Sequence, residues 1–452
     1  MTARSCAPAE PSGCAADRVL DRVPSESADS AFEREVERHY RHNALVNVLD
    51  GTFFWCGMSF ITARTILPLY VSHLTDSKLL IGLVSLLANT GWLLPQLFTA
   101  NWVQRLPRKK FAVVNVGLFT ERLPLLLMVP AAWLATRSST LALAAFFLLF
   151  AWHTFGAGLV AVGWQDMLAK IIPADRRGRF LGMTNFGGTG TGVLGAVAAG
   201  WLLDRYEFPY GYLLSFAVAG VLIFISWMFV SLTREPVQVS QDPPVSQREY
   251  WRRLPAIIRA DPNFRRYLLS QIVNTLAGMA IGFLAVYAVE RWQLPDSQAG
   301  SFTASMLIGQ SLSNLLFGVL ADRHGHKLVL ELSTLCSALA VGLASLAPAP
   351  AWFYAVFAFI GASTAGFMLS GMMIAFEFSS PGMRPTYIGL NNTVGGVAAA
   401  IAPLIGGWLA SAVGYRELFV VAFVIGLAGF AILRWWVREP RQSHAAMSVE
   451  EA

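Results

Sequence analysis

Charge is what this 452-residue chain lacks most: Asp, Glu, Lys and Arg make up 14% of it, against 55% hydrophobic residues. A soluble protein of average composition is about a quarter charged. So little charge cannot cover a core of this size with polar surface, which excludes an ordinary soluble enzyme and also a disordered chain. The composition therefore predicts a protein whose outer surface contacts lipid.

Cysteine is scarce as well, and the four cysteines are too scattered for a disulfide framework. Cys6 and Cys14 have no His or Cys partner at zinc-binding spacing, so we predict no metal site. The sequence contains no Walker-type phosphate loop and no nucleophile–base spacing that would indicate catalysis. We therefore expect neither a cofactor nor an enzymatic activity.

Long apolar runs are abundant. A membrane-spanning helix needs about 20 mainly apolar residues, and twelve such stretches can be marked. They lie at 46–71, 79–103, 111–134, 140–163, 180–203, 211–232, 267–289, 299–321, 328–348, 351–376, 387–411 and 417–437. No soluble core could enclose twelve such helices, so we predict an all-α membrane protein with twelve transmembrane helices. Residues 1–44 contain no apolar run, which predicts no cleavable signal peptide, and the charged segment 31–42 predicts a short surface helix.

Lys and Arg are distributed unevenly between the loops. The loops after the second, fourth, sixth, eighth and tenth spans carry most of them, and we call the end of the molecule where these loops lie the basic end. Such loops are typically cytoplasmic, so we expect both termini in the cytoplasm and the protein in the plasma membrane. The net charge of +6 then reflects these loops and not a nucleic-acid partner.

The chain repeats itself once. Residues 46–51 match 273–278, and residues 180–185 match 387–392. Arg-Glu-Pro follows both the sixth and the twelfth span. The repeat predicts two six-helix halves; the full division is a tail at 1–44, halves at 45–232 and 266–437, a linker with an amphipathic segment at 233–265, and a tail at 438–452.

Two six-helix halves related by an axis along the membrane normal are one known transporter plan. Between the eighth and ninth spans stands a loop signature formed by Gly318, Asp322, Arg323, Gly325 and Lys327, and a degenerate copy follows the second span. On these motifs the chain resembles the major facilitator superfamily over about residues 45–440. The resemblance implies the major facilitator fold, transport by alternating access, and a gating role for the loop signature. Charges that only set the topology are the alternative for that loop.

Small residues recur once per helical turn in two spans. They are Gly188, Gly192, Ala196 and Gly200 in the fifth span, and Gly395, Ala399, Pro403 and Gly407 in the eleventh. Such faces let another helix approach closely, and we favour packing between the halves over substrate contact. The string Gly190–Gly195 spells G-x-G-x-x-G, but no strand precedes it, so it does not predict a dinucleotide site.

Besides Arg64, which is near the outer end of its span, four ionisable residues fall inside predicted spans of the first half: Asp50, Glu121, Arg122 and His153. Ionisable groups in hydrocarbon are costly and usually face a cavity, and carboxylates and His can exchange protons there. We therefore predict that they couple transport to protons, with a static buried ion network as the alternative. Adjacent helical residues point about 100° apart, so we expect Glu121 to pair with His153 and Arg122 with Asp50 or a water-filled cavity.

The resemblance implies that the first, fourth, seventh and tenth spans line a central cavity. The candidate lining residues are Phe54, Trp55, Trp152, Asn274, Met368 and Met372. Aromatic and Met-rich walls with few charges suit an apolar or amphipathic molecule, although such residues also pack helices together. We expect a monomer in the lipid bilayer that exports a small-molecule substrate by transport coupled to protons. An uptake symporter and a non-transporting sensor or scaffold with this fold are the alternatives.

Overall fold

The computed structural model describes residues 25–104, 106–173, 176–237, 258–371, 373–378 and 384–440. These ranges are almost entirely helical, which confirms the predicted all-α class. Both tails beyond 25–440 and most of the predicted amphipathic segment lie outside the described residues, so the predicted boundaries of the halves and of the linker stay predictions.

Among the described residues, the first half is built from seven α-helices, two π-helical turns and a 3₁₀ turn at Leu134–Thr136. The helices are α1 (Ser25–Ser59), α2 (Ile66–Ser72), α3 (Lys78–Gln104), α4 (Leu123–Trp133), α5 (Ser139–Ile171), α6 (Arg177–Arg205) and α7 (Tyr210–Ser231). The π-turns, Ala112–Val116 and Leu118–Arg122, lead directly into α4. The third predicted span therefore begins with a wider helical turn than an α-helix has.

The second half follows the same plan. Its helices are α8 (Pro262–Ala277), α9 (Leu284–Trp292), α10 (Gln298–His324), α11 (His326–Leu346), α12 (Trp352–Ser370), α13 (Met373–Phe378), α14 (Arg384–Val413) and α15 (Tyr415–Ala431). A 3₁₀ segment, Gly278–Phe283, joins α8 to α9 within the seventh predicted span. A π-turn, Ile432–Trp436, extends α15 toward the basic end.

Eleven helices among the described residues are long and apolar enough to cross a membrane, and they coincide with the second to twelfth predicted spans. Helix α1 covers most of the first predicted span but is more polar than the others. It nevertheless packs along α6 and α7 inside the first half. At the basic end the predicted spans are shorter than the observed helices, because several helices continue past the apolar run into polar residues.

The first span differs from its prediction in two ways. The charged segment 31–42 is not a separate surface helix, because α1 runs without interruption from Ser25 to Ser59. The helix then stops before the predicted end of the span, and residues 60–65 separate it from the short helix α2. The Thr62 and Thr65 hydroxyls in this break contact each other, and Thr65 also contacts Thr303 of the other half at 2.6 Å.

The two halves touch at the end of the bundle opposite to the basic end. His73 Nε2 lies 2.6 Å from Asp296 Oδ2, and Tyr212 donates a hydrogen bond to the same oxygen at 2.8 Å. Lys78 donates to the backbone carbonyl of Ala410 at 3.0 Å. These contacts join loops and helix ends of both halves and hold that end of the bundle together.

Substitution of Gly156 by Ala is expected to lower the thermal stability. Gly156 of α5 lies so close to Thr120 that an added Cβ would overlap the Thr120 carbonyl oxygen. Overpacking of this kind costs about 1–3 kcal/mol and would also push on the neighbouring Glu121. The measurement is the melting temperature of the purified protein in detergent. Gly182→Ala is the control, because no atom lies within 4 Å of its added Cβ, and equal melting of both variants would contradict the prediction.

Candidate functional site

The four ionisable residues predicted in the first half lie together. Asp50 comes from α1, Glu121 and Arg122 from the π-turn before α4, and His153 from α5, and their exposed fractions are 5%, 4%, 5% and 3%. Arg122 interacts electrostatically with both Asp50 and His153. We call these four residues the charge cluster. Three separate segments of the first half thus bring two carboxylates, one guanidinium and one imidazole into a single buried site.

The pairing within the charge cluster differs from the prediction. The Arg122 guanidinium forms an ion pair with its sequence neighbour Glu121, so the expectation that adjacent residues cannot meet is wrong here. The π-turn changes the angle between successive side chains, and Gly117 leaves room for the guanidinium because an added Cβ would lie 3.1 Å from Arg122 Nη1. His153 also contacts Glu121, but its Nδ1 lies 2.8 Å from the backbone carbonyl and not at the carboxylate.

Asp50 occupies the junction of α1, α5 and α7. Ser226 of α7 donates a hydrogen bond to Asp50 Oδ1 at 2.6 Å, and the Trp164 indole of α5 lies near the carboxylate. A neutral donor therefore binds the carboxylate, and the positive charge of Arg122 attracts it. Such a carboxylate can exchange a proton while its neutral hydrogen-bond partner remains in place.

Two of the three aromatic candidates of the first half, Trp55 and Trp152, are exposed on their helices. Trp55 is 45% exposed and packs against Gly188 of α6, where an added Cβ would lie 2.9 Å from Trp55 Cδ1. Trp152 is 41% exposed and precedes His153 in α5, and Phe54 is half-buried against the core. Trp152 thus lies beside a member of the charge cluster, and Trp55 lies along the helix that carries Asp50.

A cavity of about 280 Å³ lies inside the second half, between α8, α12 and α14. Two predicted lining residues, Asn274 and Met368, border it, whereas the predicted Met372 lies outside the described residues. The described lining residues are all uncharged, and several carry carboxamides or hydroxyls: Tyr267, Ser270, Gln271, Asn391 and Asn392. We call this cavity the amide pocket.

Sequence reasoning missed most of the amide pocket. Gln271 stands one helical turn before Asn274, and this spacing could have placed it on the same face. Asn391 and Asn392 end the segment that repeats residues 180–185, but they were interpreted only as evidence of the repeat. A search for uncharged polar residues inside apolar spans would have found all three.

The loop signature of the second half forms the turn between α10 and α11. Gly325 has φ 91°, a left-handed conformation that favours glycine, and the Glu439 carboxylate approaches it from the chain that follows α15. Lys327 is buried and forms an ion pair with Glu331 at 2.6 Å. Arg323 is exposed. Gly318 has free space around it, because an added Cβ would meet nothing within 4 Å. The Asp322 side chain lies outside the described part of the chain.

The equivalent turn of the first half is held by Glu235, from the first Arg-Glu-Pro. Its carboxylate accepts hydrogen bonds from the backbone N–H groups of Lys109 and Lys110, at 2.9 and 2.7 Å, and from Lys170 Nζ at 2.9 Å. Burial lowers the pKa of the Lys110 amino group, and the charge of Glu235 opposes that shift. Glu235 therefore connects the end of the first half to two of its basic loops.

The small residues predicted to pack helices lie along contacts between the halves. An added Cβ at Gly200 would lie 2.8 Å from the Ser297 carbonyl oxygen, and one at Gly192 would lie 3.2 Å from Leu307 of α10. Two residues of α14 contact α3 of the first half. An added Cβ at Gly82 of α3 would lie 2.7 Å from the Pro403 carbonyl oxygen, and Gly407 packs against Lys78 and Leu79. Gly188 and Gly395 differ, because each packs against a helix of its own half, α1 and α8 respectively.

The family model of the Major Facilitator Superfamily matches residues 49–292 and, again, residues 267–451. The chain belongs to the Major Facilitator Superfamily. Its two matches follow the two halves of the internal repeat. The predicted resemblance and fold are therefore confirmed, and the subfamily stays unassigned.

Curated relatives of this superfamily member match parts of the chain. It is 30% identical to the benzoate transport protein of Acinetobacter baylyi over 137 residues, which are 28% of this chain and 29% of that protein. It is 22% identical to the multidrug resistance protein MdtG of Dickeya zeae over 261 residues, 56% of this chain and 62% of that protein. The matched stretch thus spans less than two thirds of either relative.

Solved structures resemble this superfamily member over most of its length. A mutant of the nucleoside transporter NupG superposes with a TM-score of 0.69 and 12% sequence identity, covering 86% of this chain and 98% of that one. At this identity the likeness shows the fold alone. The charge cluster and the amide pocket must therefore be interpreted from their own geometry.

Proposed function

We propose that this protein is a secondary active transporter that moves a small organic solute by alternating access and couples the movement to protons. The charge cluster is the observation that carries the proposal. Ionisable groups inside membrane-spanning helices are costly and mark ion pathways or proton relays. Arg122 forms an ion pair with Glu121 and also attracts Asp50, so Asp50 can accept a proton while the buried guanidinium keeps its partner.

We propose export as the direction, with the basic end in the cytoplasm. The contacts between the halves at the opposite end then correspond to a state that is closed toward the outside. The name of the MdtG relative, a multidrug resistance protein, supports export of organic compounds. The exposed Trp55 and Trp152 suit an amphipathic solute.

An uptake symporter is the second candidate, because the uncharged polar lining of the amide pocket also suits a solute collected from water.

The test is the accumulation of a panel of amphipathic dyes in efflux-deficient cells that express the full chain, with and without a protonophore. We expect lower accumulation than in cells with empty vector, and we expect the protonophore to remove most of the difference. A difference that survives the protonophore would contradict proton coupling. Higher accumulation in expressing cells would replace export by uptake, and equal accumulation of every dye would contradict export of this class of compound.

A further inference from the structure

The amide pocket lies apart from the charge cluster, in the other half of the molecule. Its polar wall is formed by α8 and α14, and its apolar wall includes Phe367 and Met368 of α12. The described lining residues contribute hydrogen-bonding groups but no ionised side chain. An anionic or cationic ligand would therefore find no counter-charge among them, and burying its charge there would be costly.

Three carboxamide oxygens of residues that line this pocket are buried without a hydrogen-bond partner: Gln271 Oε1, Asn274 Oδ1 and Asn391 Oδ1. Each of these side chains already uses its amide nitrogen. Gln271 Nε2 donates to the backbone carbonyl of Asn391 at 3.4 Å, and Asn391 Nδ2 donates to the backbone carbonyl of Gly371 at 3.3 Å. Each amide nitrogen has two N–H groups and at least one of them is engaged, whereas the oxygens have no partner, so the groups left wholly without a partner are acceptors. A buried acceptor without a partner costs about 1–3 kcal/mol of stability. A ligand that donates hydrogen bonds to these oxygens would remove that cost.

Neighbouring residues hold these acceptors in place. Gly395 of α14 leaves space for the Gln271 carboxamide, since an added Cβ would lie 2.6 Å from its nitrogen. Asn274 is a positioning residue, because its nitrogen donates to Thr334 at 3.1 Å and its oxygen packs against Gly429 of α15. The polar wall of α8 and α14 is thus supported by contacts from α11 and α15.

From this geometry we infer that the amide pocket binds a small uncharged molecule that donates hydrogen bonds, through hydroxyl or amide groups, to Gln271 and Asn391. Its apolar part lies against Phe367 and Met368. The volume of about 280 Å³ is just below the range of drug-sized ligand sites, which favours a small solute. The inference rests on the proposed function, and it names the chemical class of the solute.

The test is direct binding of small probe molecules to the purified full-length protein, measured by thermal shift and by titration calorimetry. Nicotinamide and xylitol serve as neutral donors, nicotinate and xylonate as their charged counterparts, and toluene as a probe without donors. We expect at least one neutral donor to bind more tightly than its carboxylate counterpart and than toluene. Gln271→Leu and Asn391→Leu should each weaken that binding about tenfold, since one hydrogen bond is lost. Gln96→Leu, the same change in α3, is the matched control.

The outcomes separate this inference from the proposed function. Asp50→Asn should still bind the neutral probe, with an affinity that no longer changes with pH, so binding without proton-coupled transport would leave the pocket assignment standing. Tighter binding of nicotinate or xylonate, binding that survives both leucine variants, or no binding of any neutral probe would each overturn it. Two variants on different helices keep the result interpretable if one of them does not fold.

Discussion

Asp50→Asn is expected to abolish the proton dependence of transport while the protein still folds. The amide has nearly the same shape as the carboxylate and can still accept the hydrogen bond from Ser226, but it cannot exchange a proton near neutral pH. Arg122 keeps its ion pair with Glu121 in this variant. The coupling between the proton and the solute, which typically amounts to about 5–150-fold in affinity, should therefore disappear.

The measurement is solute flux in proteoliposomes with an imposed pH gradient, together with the pH inside the vesicles. Asp166→Asn is the matched control, because the Asp166 side chain is 47% exposed and lies 3.6 Å from Lys109 at the basic end. Glu121→Gln tests the other carboxylate of the cluster. Flux in Asp50→Asn that still responds to the gradient would remove Asp50 from the path, and loss only in Glu121→Gln would assign the role to Glu121.

The membership of the charge cluster could be predicted from the sequence, but its internal pairing could not. Any ionisable residue inside an apolar span must find a partner or a cavity, and this rule applies to Asp50, Glu121, Arg122 and His153 without knowledge of the fold. Glu121 and Arg122 form their ion pair within a π-turn before α4, and such turns have no clear pattern in the sequence. The assumption of an ordinary α-helix therefore separated Glu121 from Arg122, which the structure pairs.

The amide pocket shows a second limit of sequence reasoning. Asn and Gln in apolar spans are less conspicuous than charges, because an amide can satisfy itself by bonding to backbone carbonyls. Several amides of this chain do so, such as Asn89, which donates to the Ser85 carbonyl at 2.9 Å. Only the three-dimensional arrangement distinguishes them from Gln271 and Asn391, whose oxygens are buried without a partner at one cavity.

Glu235→Gln is expected to destabilise the protein by about 3 kcal/mol, the usual cost of removing one partner of a buried ion pair. The carboxylate of Glu235 is fully buried, and Lys170, its partner, is only 4% exposed. The amide would leave the Lys170 ammonium without its counter-charge and weaken the bonds from the two backbone N–H groups. The melting temperature in detergent measures the effect, with the exposed Glu207→Gln as control.

A second substitution tests whether the ion pair is the cause. Lys170→Met alone should cost less than Glu235→Gln, because the carboxylate keeps the N–H groups of Lys109 and Lys110 as donors. In the double variant no buried charge is left unpaired, so its loss should be smaller than the sum of the two single losses. Additive losses would mean that Glu235 acts mainly through the backbone of the 109–110 turn and that the ion pair with Lys170 contributes little.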